Sequence, residues 1–76
     1  MSRRITDDEL ARLIVGRLRA PRPVTVGVSA YTLASELCME LGCYRDQSIR
    51  RRLRALRDEG RVVEVAGPRG SLWRLP

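Results

Sequence analysis

A small α+β domain, three helices followed by a C-terminal β-hairpin, is the fold class this 76-residue sequence predicts. Three observations predict it. Apolar residues recur at helical spacing in three stretches before Gly60, and after Gly60 the period becomes strand-like. The chain has no room for a second domain and lies near the lower limit at which one hydrophobic core holds without metal or disulfide staples. The stretch from Leu41 to Glu59 reads as a turn followed by an amphipathic helix with an arginine-dense outer face, which the other elements hold out.

Residues 1–5 form a basic arm in which Arg3 and Arg4 are either merely solvated or available to enter a DNA minor groove. Residues 6–76 form the single domain. Thr6 followed by Asp7, Asp8 and Glu9 has the form of a capping box, its acids complementing the helix dipole, and Ile5 with Leu10 fits a hydrophobic staple. The first helix then sets Leu10, Leu13, Ile14 and Leu18 on one face and ends before Pro21. Pro21 and Pro23 impose a loop, and Val24 to Val28 is a short β-prone run between helices one and two. It is too short to stand alone, so if it pairs at all it pairs with the C-terminal strands.

Ser29 caps a second helix in which Leu33, Ala34, Leu37, Cys38 and Leu41 recur at helical spacing, and Gly42 stops it. A few residues through Cys43 and Tyr44 reach Asp46, the expected N-cap of a third helix that Gly60 closes. Helix, tight turn and basic helix together make a helix-turn-helix pattern. From Arg61 to Ala66 and from Leu72 to Leu75 the chain alternates as a hairpin, with a tip of Gly67, Pro68, Arg69, Gly70 and Ser71. Trp73 and Leu75 share a face that packs under the hairpin against the third helix, and Arg69 protrudes at the tip.

On the third helix, Leu53 and Leu56 fall within about 40° of Ile49, one narrow stripe for a core. Gln47, Arg51 and Arg54 fall opposite, Ser48 and Arg50 on the shoulders, Arg57 nearer the core boundary, and Arg52 near the stripe as a stem covering the core. Six arginines against one acid, Asp46, stand between Arg45 and Arg57. Such a helix repels itself, and an anionic partner is the natural explanation.

The whole chain carries a net charge of +6 and a pI near 10.9, as chains that meet nucleic acid or an acidic surface do. All fifteen basic residues are Arg. A GC-rich coding bias accounts for that as readily as phosphate and guanine recognition, so the position of charge is the better guide. The absence of histidine removes the usual general base and the commonest metal ligand, and no nucleophile, base or metal constellation is visible, so neither an enzyme nor a cofactor is expected. Cys38 and Cys43 have no further soft ligand to complete a zinc site and read as small buried hydrophobes in a reduced cytosol, with a redox role as the alternative. No apolar run approaches a membrane span and no signal peptide is evident, so a cytoplasmic location is expected.

With the elements in this order, the chain resembles a winged helix-turn-helix domain from about Thr6 to Leu75. Leu33, Ala34, Leu37, Leu41 and Gly42 resemble that family's second helix. Ile49 to Leu53 with Leu56, Glu59 and Gly60 resemble its recognition helix, and Arg61 to Val63, the glycine-containing tip and Trp73 to Leu75 resemble its wing. Two departures are a turn from Gly42 to Ile49 about one residue longer than is common in bacterial regulators, and Arg61 where the family has an apolar residue.

The resemblance implies that the third helix enters the major groove of double-stranded DNA and the wing touches the flanking backbone or minor groove. Gln47, Arg51 and Arg54 are then the candidates for base contacts, Arg54 being placed for phosphates as well. Tyr44, Ser48, Arg50, Arg57 and Arg69 are placed for the DNA backbone. A small bacterial or phage regulator or an excisionase-like architectural factor fits. One copy covers only a short site, so a homodimer, several copies or a second DNA-bound protein is expected. The alternative is a protein-interaction module whose basic face meets an acidic partner.

Overall fold

The computed structural model describes residues 5–22, 26–41 and 46–76. Three helices, α1 (Asp7–Arg19), α2 (Ala30–Leu41) and α3 (Asp46–Asp58), precede two strands, β1 (Val63–Gly67) and β2 (Gly70–Arg74), giving the expected α+β order. The expectations for Arg3, Arg4, Val24, Thr25, Gly42, Cys43 and Tyr44 fall outside the described residues.

Local chemistry explains the helix ends. The Thr6 hydroxyl accepts from the Glu9 backbone N–H at 3.1 Å, which caps α1, and Ile5 packs partly buried against the core. Ser29 caps α2 in the same way, its hydroxyl accepting from Thr32 N–H at 3.1 Å. α3 starts at Asp46 itself, one position earlier than a reading of Asp46 as the cap implies. It stops in a Schellman turn: the N–H of Gly60 donates to Arg57 C=O and that of Arg61 to Leu56 C=O, both at 2.9 Å, with Gly60 at φ +76°. Only glycine takes that backbone conformation without strain.

The core sits where the three helices meet the hairpin. Ile14 of α1, Leu33 and Leu37 of α2, and Ile49, Leu53 and Leu56 of α3 are its fully buried large side chains, with Val28, Val62 and Trp73 closing it. α3 packs on both α1 and α2, so its apolar stripe is the hub of the domain.

β1 and β2 pair antiparallel with Val63 opposite Arg74 and Gly67 opposite Gly70, leaving Pro68 and Arg69 as the turn. The strand begins at Val63 where Arg61 was expected. Arg61 and Val62 are used in leaving the Schellman turn, Val62 dropping into the core while Arg61 stays exposed near Glu59. β2 lies chiefly against α2, where α3 was expected, and Trp73 is buried while Leu75 is partly so. Among the described residues, the run before α2 does pair with the last strand, through Val28. Val28 and Trp73 exchange two backbone hydrogen bonds of 2.8 Å, forming an isolated bridge on the outer edge of β2. Gly27 permits the approach, because a Cβ there would stand 2.9 Å from Leu72 Cβ.

A charged hub absent from the sequence reading ties α1 to α2. Glu36 accepts from Arg22 at 2.6 and 2.9 Å and from Arg17 Nε at 3.1 Å, while Arg22 also donates to the Arg17 carbonyl near the end of α1. These hydrogen bonds, Arg22's first, hold the Glu36 carboxyl at about 2, below an ordinary 4.5. Because the folded value is depressed, the contribution to stability is present above about pH 4.5 and is lost as pH falls toward about 2. Glu36→Gln is expected to cost roughly 2 kcal/mol at pH 7, and to flatten the decline in melting temperature between pH 5 and 2. Circular dichroism melts at stepped pH check this; a variant as acid-sensitive as the wild type would remove Glu36 as the source.

Candidate functional site

α3 carries five arginines, and the structure divides them by what they touch. With Ile49, Leu53 and Leu56 buried, the helical period turns Gln47, Arg51 and Arg54 outward, and all three are exposed. Arg50 is exposed on one shoulder and Ser48 half-buried on the other. Arg52 is only 21% exposed and reaches back to Asp7 of α1 at 2.9 Å, so it covers the core edge and pins two helices together.

Arg57, read as a backbone-contact candidate, is engaged within the protein. It donates to Glu64 of β1 at 2.5 Å and to Asp58 at 3.3 Å. Its guanidinium is accordingly pushed above its ordinary range, first by Glu64 and then by Asp58. Arg51 makes no hydrogen bond or ion pair among the described residues, and Arg54 has only the electrostatic reach of Glu64. Arg51 and Arg54 therefore carry outward-facing charge on α3, and Arg50 is exposed beside them. Arg50 and Arg54 stand four residues apart, where like charges on a helix repel by a few tenths of a kcal/mol.

The hairpin adds to this face. Arg69 is exposed in the turn, and with Arg50 and Arg54 it lines one open cleft of about 580 Å³ between α3, the hairpin and the start of α2. Ser29, Tyr31 and Thr32 form the α2 wall, and Glu64, Ser71 and Leu72 the hairpin wall. Three guanidinium groups from two elements thus approach one concave surface. Such a surface favours an extended anion over a point charge, because the groups are spread along it.

Two residues of the cleft were not found from the sequence. Tyr31 is 71% exposed beside the arginines. Its place opposite Leu33 on the helical wheel foretells exposure, but nothing local brings it next to α3. Glu64 accepts from the Ser71 hydroxyl and from Arg57, in that order of effect, and its carboxyl is held below the usual range. Cross-strand alternation could have placed Glu64 and Ser71 near each other, whereas the link to Arg57 is tertiary.

Among the described residues no cluster of His, Cys, Asp or Glu could hold a metal ion, and no helix is long and apolar enough to cross a membrane. Cys38 is half-buried on α2. Comparison with known proteins finds no family model, curated protein or solved structure that matches this chain.

Proposed function

We propose that the protein binds double-stranded DNA as a winged helix-turn-helix domain, acting as a transcription regulator or an excisionase-like architectural factor. α3 enters the major groove, whose width of about 12 Å admits a helix, and the hairpin serves as a wing against the flanking backbone or minor groove. What supports this reading above all is that Arg50 and Arg54 of α3 and Arg69 of the hairpin tip line one cleft, while Arg51 beside them has no internal partner among the described residues.

Roles follow from position. Gln47 and Arg51 suit base edges through paired hydrogen bonds, and Arg54 suits a base or a phosphate. Arg50, Arg69 and Ser48 suit phosphates, which fix register without reading sequence. Arg52 and Arg57 are held by Asp7 and Glu64, so their first duty is to the fold. A single domain covers a short site, and a homodimer or a second protein on the DNA supplies the remaining specificity.

The exposed ring of Tyr31 and the partly buried Leu72 in the same cleft favour a second reading, an acidic protein segment as the partner. Fluorescence anisotropy of a labelled random-sequence duplex, titrated at several salt concentrations, separates the two. DNA binding is expected to weaken with salt at a log-log slope of about 0.9 per phosphate contact. A folded protein that binds no duplex at low salt would overturn the DNA reading in favour of the acidic partner.

A further inference from the structure

The cleft that carries the arginines also carries one carboxylate among its described lining residues, Glu64, and its placement is at odds with maximal DNA affinity. Glu64 has a side chain 30% exposed and is fixed from two sides, by Ser71 across the hairpin and by Arg57 at the end of α3. Arg57 is 41% exposed, so it lies at the surface with its charge answered by Glu64 and Asp58 and not by solvent alone. Arg54 stands within the field of the same carboxylate.

Specificity is a difference between affinities, so a contact common to every sequence cancels out of it and sets the overall affinity and its salt dependence instead. Phosphate contacts are common to every sequence. Resting on the DNA reading above, we propose that Glu64 is an affinity-tempering residue of the binding face: its carboxylate withholds Arg57 from the DNA backbone and damps Arg54, lowering affinity for every sequence alike and so easing release. Gln47 and Arg51 are exposed on the other side of α3 from the buried stripe, and neither is hydrogen-bonded to Glu64. Glu64 therefore taxes backbone binding more than base reading.

The consequence is measurable in the salt dependence. Neutralising Glu64 leaves Arg57 with the longer contact to Asp58 at 3.3 Å, from which it can turn to a phosphate, and strips one repulsive charge from the cleft. Glu64→Gln is expected to bind a random-sequence duplex about 3- to 10-fold more tightly at low salt, with a log-log salt slope steeper by roughly 0.9. Adding Arg57→Gln to it should return the slope to the wild-type value. Ser71→Ala, which removes a tether but keeps the carboxylate charge, should leave the slope unchanged.

A merely structural Glu64 gives a different result. If it only latches the hairpin to α3, Glu64→Gln lowers the melting temperature and weakens binding, with a slope equal to or below wild type, and the proposal is overturned. Glu64→Ala, which removes the carboxylate outright, gives the same reading should the Gln variant fold poorly. A wild type that binds no duplex overturns the DNA reading and this inference together. A wild type that binds, beside an unchanged slope in the folded Glu64 variants, overturns this inference alone.

Discussion

Replacing Arg51 and Arg54 together by alanine is expected to weaken binding to a random-sequence duplex by roughly 10- to 100-fold at low salt. The salt slope should fall by about 0.9 for each of the two that touches a phosphate. The reason lies in how the charges of α3 are distributed. Arg52 and Arg57 already have carboxylates, while Arg51 and Arg54 are exposed with no hydrogen bond or salt bridge among the described residues. Removing them costs the fold little, since neither contacts the core, and surface truncations change stability by about 0.5 kcal/mol or less. Removal of Arg54 also relieves its repulsion from Arg50. Equal melting temperatures with lost affinity assign the face; equal affinity would move the DNA-contacting surface elsewhere.

Leu53→Ala is expected to cost roughly 2 to 5 kcal/mol, a large share of what so small a domain has in hand. Leu53 is fully buried on the helix that packs against both α1 and α2, so truncation opens a cavity at the hub. A chemical denaturation curve measures it directly. Loss of less than about 1 kcal/mol would mean that the neighbours collapse into the space. Binding lost in this variant says nothing about DNA, because the outward face of α3 disappears with the helix.

The helices were legible because their signals are local. Ile49, Leu53 and Leu56 repeat at the helical period, Thr6 stands three residues before Glu9, and Gly60 follows the last apolar residue of α3 at the distance a Schellman turn requires. The outward face of α3 was legible for the same reason, since fixing the buried side of a helix fixes the other. Charge pairing was not legible. Arg52 meets Asp7, Arg22 meets Glu36 and Arg57 meets Glu64 across gaps with no period, and any of several acids would have served on paper. Hence Arg57 looked available for DNA when it is held by β1. The start of β1 was misjudged because Arg61 and Val62 continue the alternation on paper, while the helix stop consumes them in space.

The bridge between Val28 and Trp73 makes the molecule its own spectroscopic instrument. Trp73 is the only indole in the chain; it is 4% exposed and its backbone N–H and C=O are both committed to Val28. Its emission therefore reports whether the loop before α2 and the final strand are joined, and because Trp73 also lines the arginine cleft its intensity responds to what enters there. A titration that leaves the emission maximum in place records docking of a rigid domain. One that shifts it to the red records the C-terminal strand parting from residue 28, a change of shape visible without any label.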